Sequence, residues 1–127
     1  MKKSINLVAT QGKFEVELIG DSIDVSLTKD GLSAQMSSFL YTDGPSLIYF
    51  FKDLAKSWKG WEGQKRWNTL ESDVILTATH DGIGHVALLV ELNNQENEES
   101  SWEASGTLLI ELGSLDAWAK NIESLFS

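Results

Sequence analysis

At 127 residues, with 42% hydrophobic and 23% charged side chains, the chain has the composition of one globular domain and not of a disordered segment. It has no cysteine, which excludes disulfides, zinc–thiolate sites, iron–sulfur clusters and thiol nucleophiles. Nineteen acidic against ten basic residues give a formal −9, and repulsion from phosphate argues against a nucleic-acid partner.

The first forty residues alternate apolar and polar side chains in four short runs: Ile5 to Ala9, Phe14 to Leu18, Ile23 to Thr28 and Leu32 to Ser37. A period of two predicts strands with one buried and one wet face. The breaks fall at Gln11-Gly12, Gly20-Asp21 and Asp30-Gly31, the last a hairpin signal. Glu15, Glu17 and Asp24 then share the outward face. The Met-Lys-Lys start resembles the basic end of a signal peptide, but no continuous apolar run follows it, so no export signal is read. Nowhere are there enough consecutive apolar residues to span a bilayer. The expected location is cytoplasmic, with no membrane partner.

Asp43-Gly44-Pro45 predicts a helix start, with Leu47, Phe50, Phe51, Leu54 and Trp58 as its apolar stripe and Gly60 and Gly63 as its stop. The stretch Trp58 to Trp67 holds three of the five tryptophans. Trp61 to Trp67 reads as an ordered loop or a strand entry. Its rings are either a lid over the core or, with Glu62 and Arg66, an aromatic and charged patch that anchors a partner. Residues 52–66 carry five basic against two acidic side chains, a local +3 that leaves −12 on the rest.

Three more strands are predicted at 72–79, 85–92 and 102–111, with a polar, acidic and mobile loop over 93–101. Trp102 falls in phase with Leu108 and Ile110 and so faces the core. Ser114 then caps a closing helix with Leu115, Trp118, Ala119, Ile122 and Phe126 on its buried side. The whole reads as one α+β domain over residues 1–127: a mostly antiparallel sheet of about seven strands, order ββββ-α-βββ-α, with both helices packed on one face.

The cluster most like a chemical site is His80-Asp-Gly-Ile-Gly-His85. Two histidines around an aspartate invite a metal or an acid–base role. Matching the apolar faces of the flanking strands pairs residue 78 with 86 and 76 with 88. That register sends the two imidazoles to opposite sides of the sheet, unless a bulge at Gly82 or Gly84 flips the phase. Asp81-Gly82 is then a turn, and no Ser-His-Asp set or phosphate-binding glycine loop is present.

Trp58-x-x-Trp61-x-Gly63, Trp67, the His80 to Val86 hairpin, and Trp102 followed by Leu-Leu-Ile-Glu-Leu-Gly113 resemble, in that order, a bacterial family of small proteins defined as a domain of unknown function. The similarity runs over residues 14–126, with its sharp motifs between 58 and 113. It implies that the Trp block and the hairpin belong to one recurring unit. It implies no activity, cofactor or catalytic residue.

These features predict a non-enzymatic intracellular interaction protein without cofactor or metal. Its expected partner is a protein, by class-level analogy a basic toxin-like one held by an acidic immunity-type domain. The alternative is a small-ligand-binding domain. In either case the candidate residues are Trp61, Glu62, Arg66, Trp67, His80, Asp81 and His85, and no catalytic residue is assigned.

Overall fold

The alternation in the first forty residues forms four strands: β1 (Lys2–Ala9), β2 (Gly12–Ile19), β3 (Ser22–Lys29) and β4 (Leu32–Phe39). They were placed in a computed structural model, which describes residues 2–40, 43–95 and 97–127. Each strand pairs antiparallel with the next, so Phe14, Val16, Val25 and Leu27 face inward while Glu17 stands directly opposite Asp24 outside. Asp30 (φ 42°) and Gly31 (φ 87°) make the β3–β4 turn, the two positive φ values that a tight two-residue hairpin requires.

Helix α1 (Gly44–Lys56) follows, with Asp43 at its N-cap. The Asp43 carboxylate does not cap the helix. It accepts the N–H of Leu70 at 3.0 Å instead. Helix α1 buries Leu47, Phe50, Phe51 and Leu54, as the spacing predicts, but ends at Lys56 with Ser57 as its C-cap. Trp58 therefore lies beyond the helix and is 50% exposed, a correction to the stripe read from sequence.

The second half adds β5 (Lys65–Asn68), β6 (Val74–His80), β7 (His85–Asn94) and β8 (Trp102–Glu111). The strand count is thus eight. The strands form two separate four-stranded antiparallel meanders, β1 to β4 and β5 to β8, with α1 between them. The α+β class and the order of elements stand as predicted. The additional strand, β5, has four residues and one buried side chain, too short for a visible alternation. The polar loop is shorter than predicted, since β7 runs to Asn94 and Asn97 accepts the N–H groups of Glu99 and Ser100. Residue 96 lies outside the described residues.

Leu112–Ser114 forms a single 3-10 turn into helix α2 (Leu115–Leu125), which buries Leu115, Trp118, Ala119, Ile122 and Leu125. Phe126 is the C-cap and packs half-buried against the start of α1, close to Gly44. The two helices meet through Phe51 and Trp118, whose rings are 6.1 Å apart, and they lean on the strands through α2 with β1 and α1 with β5.

Inward side chains of both sheets join those of the helices in one core cluster, which includes Val25, Leu76, Leu88, Leu108, Phe51 and Ile122. Full burial of an aliphatic or aromatic side chain contributes about 1.5–3 kcal/mol, so this cluster dominates stability. The sheets come close at Gly12, where an added Cβ would sit 2.9 Å from Leu108. A polar tie also links the halves. Asp73 accepts hydrogen bonds from Ser38 of β4 (2.7 Å) and from Thr69, and Thr69 in turn accepts the N–H of Val74. Such a pairing offsets the cost of burying Thr69 and Ser38.

Candidate functional site

The β6–β7 ladder pairs Ala78 with Leu88, Leu76 with Val90 and His80 with Val86. This register differs by two residues from the one deduced from sequence. An even shift leaves every side chain on its predicted face. His80 therefore continues the inward phase of Leu76 and Ala78, and His85 begins the outward phase of Ala87 and Leu89.

His80 is held at both ring nitrogens. Its Nδ1 accepts the N–H of Gly82 at 2.9 Å, which places the proton on Nε2, and Nε2 donates to the carbonyl of Trp58 at 2.8 Å. The Trp61 ring lies edge-on to the imidazole at 5.3 Å, and a Cβ on Gly60 would come within 3.7 Å of it. The ammonium of Lys65 sits 5.2 Å from the Trp61 ring centre and 2.9 Å from the Asp53 carboxylate of α1. The loop after α1 is thus folded onto the end of β6, and His80 fastens it there. Among the described residues the indole N–H of Trp61 is buried with no protein partner.

Asp81 organises the turn. One carboxylate oxygen accepts the N–H groups of Ile83 (2.8 Å), Gly84 (2.9 Å) and His85 (3.0 Å), and the other lies 3.4 Å from Nδ1 of His85. The backbone N–H groups, led by that of His85, hold the Asp81 carboxyl well below the usual carboxylate range. With Gly82 bound to His80, the four successive N–H groups from 82 to 85 all end on the side chains of residues 80 and 81. Gly82 has φ 80°, which explains the glycine after Asp81.

The seven candidate residues do not form one cluster. Trp61 and His80 meet on the inward side, and Asp81 and His85 meet at the hairpin tip. Trp67 is a core residue at 6% exposure, opposite Leu76, and its indole donates to Ser46 at 2.9 Å. Arg66 points outward opposite Thr77, and Glu62 is exposed in the loop. Among the described residues no group of three or more histidine and carboxylate side chains is placed to hold a metal ion.

What the arrangement does chemically is fasten the segment. Hydrogen bonds join His80 to the Trp58 carbonyl and to Gly82, and Asp81 to the N–H groups of 83 to 85, while Trp61 adds a ring contact and Trp67 bonds elsewhere, to Ser46. Residues 4–127 match the family described as "Family of unknown function (DUF6228)". The chain belongs to that family. No curated protein and no solved structure matches it. Membership extends the resemblance read from the tryptophan and hairpin motifs to both sheets and both helices, since the match begins in β1. Sequence reading passed over the Ser38–Thr69–Asp73 tie because single hydroxyl residues carry no pattern. It also passed over the outward side chains of β6 to β8, for which the uninterrupted run Ala87-Leu-Leu-Val90 was the available signal.

Proposed function

We propose that this protein is a non-enzymatic, cytoplasmic interaction protein that binds a basic protein partner in the manner of an immunity-type domain. The observation that carries this reading is the acidic outward face of the first sheet, where Glu15 and Glu17 of β2 lie beside Asp24 of β3, with Glu17 and Asp24 in direct register. Lys13 bridges Glu15 at 2.8 Å and Ser37 donates to Asp24, and the carboxylates still outnumber that one lysine on the face. The excess also has long reach, because a formal −9 on 127 residues accelerates encounter with a basic surface.

The basic segment does not cancel this field. Lys52 is bridged to Glu123 at 2.5 Å and Lys65 to Asp53 at 2.9 Å, so two of its cations are already met by helix carboxylates. The small-ligand reading has less behind it. The His80 nitrogens and the Trp67 N–H are engaged within the chain, which leaves it the buried N–H of Trp61, unpartnered among the described residues. Co-purification from the native source at low and at high salt tests the proposal. The expected result is a partner of net positive charge whose association slows as ionic strength rises. Absence of any protein partner at low salt would remove the reading.

A further inference from the structure

The outward face of the second sheet has a different chemistry from the rest of the surface. Its middle is a stripe in which Leu89 of β7 lies between Thr77 and Thr107, and Ala87 lies between Thr79 and Leu109. Ile75 extends the stripe along β6, beside Glu91. On β6 the side chains of Ile75 and Thr77 are buried by their neighbours, Ala87 and Leu89 of β7 are half-buried, and the stripe opens to solvent at Leu109, 39% exposed. The helices pack chiefly on each other, on β1 and on β5, away from this stripe. An antiparallel sheet with a solvated outer face is expected to place polar residues there, so aliphatic and threonine side chains at the centre of three strands call for a partner.

The charges around the stripe select the partner. Glu91, Glu103 and Glu111 share the outward phase of β7 and β8, and Asp81 stands at the hairpin tip beyond them. Of the basic side chains near this face, His85 lies against Asp81, and the Lys29 ammonium donates to the carbonyl of Thr107 at the β8 edge. Arg66 stands at the β5 edge. A second copy of the chain would bring the same carboxylates face to face across a twofold axis, on top of repulsion between two molecules of −9. A basic surface is complementary to it.

We propose that the outward face of β6, β7 and β8 is the docking surface for a basic protein, with the aliphatic–threonine stripe buried at the centre and Glu91, Glu103 and Glu111 meeting lysines or arginines at the rim. The inference rests on the reading under Proposed function and narrows it to one surface. The acidic face of the first sheet then speeds encounter, whereas the stripe holds the complex once formed.

A photo-crosslinking side chain placed at Leu109, and separately at Ser26 on the outward face of the first sheet, tests this in the native cell. The expected product is a protein of net positive charge captured from Leu109 and not from Ser26. With that protein purified, Leu109→Glu should weaken binding roughly 100-fold, chiefly through faster dissociation. Glu103→Gln should cost only a few-fold, chiefly in association rate. Thermal melting of both variants checks that they fold, as exposed positions should. Capture of a basic protein from Ser26 alone, or from both positions with affinity indifferent to Leu109→Glu, overturns this surface and leaves the basic-partner reading in place. A cross-link at Leu109 to a second copy, an acidic protein or a lipid overturns it in favour of that occupant. No cross-link from Leu109 overturns this surface, and co-purification at low salt then decides whether the basic-partner reading stands without it.

Discussion

The two sheets are both four-stranded antiparallel meanders, and both turn one face to the same core. Their other faces diverge. Along β1 to β4 the outward positions between the strand ends are Ser4, Asn6, Glu15, Glu17, Asp24, Ser26, Gln35 and Ser37, and exposed apolar side chains such as Val8, Ile19 and Phe39 stand singly toward the ends. Along β6 and β7 the corresponding positions hold Ile75, Ala87 and Leu89 in the middle of the sheet. The difference lies in packing: Ile75 is buried, Ala87 and Leu89 are half-buried side by side, and the set continues to the exposed Leu109 of β8, whereas Val8, Ile19 and Phe39 are exposed singly. Two sheets folded by the same rule thus separate what the fold needs from what it carries in addition.

The largest test sets two neighbours in β7 against each other. Leu88 is fully buried in the core, and Leu89 faces outward beside Thr77. Leu88→Ala should cost about 2–5 kcal/mol in denaturant unfolding, through lost burial and the cavity left behind. Leu89→Ala should stay below about 1 kcal/mol. Equal losses would mean that the outward stripe is a second folding surface, and the contrast between the sheets would then lose its functional meaning.

A smaller test uses two tryptophans of the same motif. Trp67→Phe removes the hydrogen bond to Ser46 from a buried position and should cost roughly 1–2 kcal/mol. Trp58→Phe, at a half-exposed ring, should change stability by about 0.5 kcal/mol or less. Iodide quenching of the wild type should reach Trp58 and spare Trp67. If the two rings quench alike, the inward assignment of β5 fails, and with it the boundary between the covered and open faces of the second sheet.

These cases mark what could be read from the chain. Alternation placed seven of the strands because each buries one face, and a register displaced by two residues still put the histidines on opposite faces. Pattern failed where local geometry decides. The spacing from Leu47 to Leu54 fits Trp58 as its next member, yet the helix ends before it, because a hydrophobic period does not report where backbone hydrogen bonding stops. Strand β5 offered Lys65, Arg66 and Asn68 around a single buried Trp67, too little to count as a period. Division of the strands into two sheets is a tertiary outcome that no single strand encodes. Likewise, the His80 and Asp81 motif was visible, but its reach back to Trp58 and Trp61 depends on a loop fold without sequence signature.

The smallest expected effect concerns Asp81, at the end where the inward and outward faces of the second sheet meet. Its carboxylate accepts three backbone N–H groups in the folded chain and none of them once unfolded, so its folded pKa lies below the ordinary 3.8. A depressed folded value makes the contribution present above the unfolded pKa and lost as pH falls through the folded one. Asp81→Asn keeps an acceptor oxygen but removes the charge, and should be less stable than the wild type by a constant amount from pH 7 to pH 5. The gap should close as pH drops below about 4, where the wild-type carboxyl begins to gain its proton on unfolding. Unfolding curves at stepped pH measure it, and amide exchange at Ile83, Gly84 and His85 localises it. A gap that persists unchanged in acid would assign the effect to shape and not to charge. The turn would then depend on the acceptor geometry at residue 81 and not on its charge.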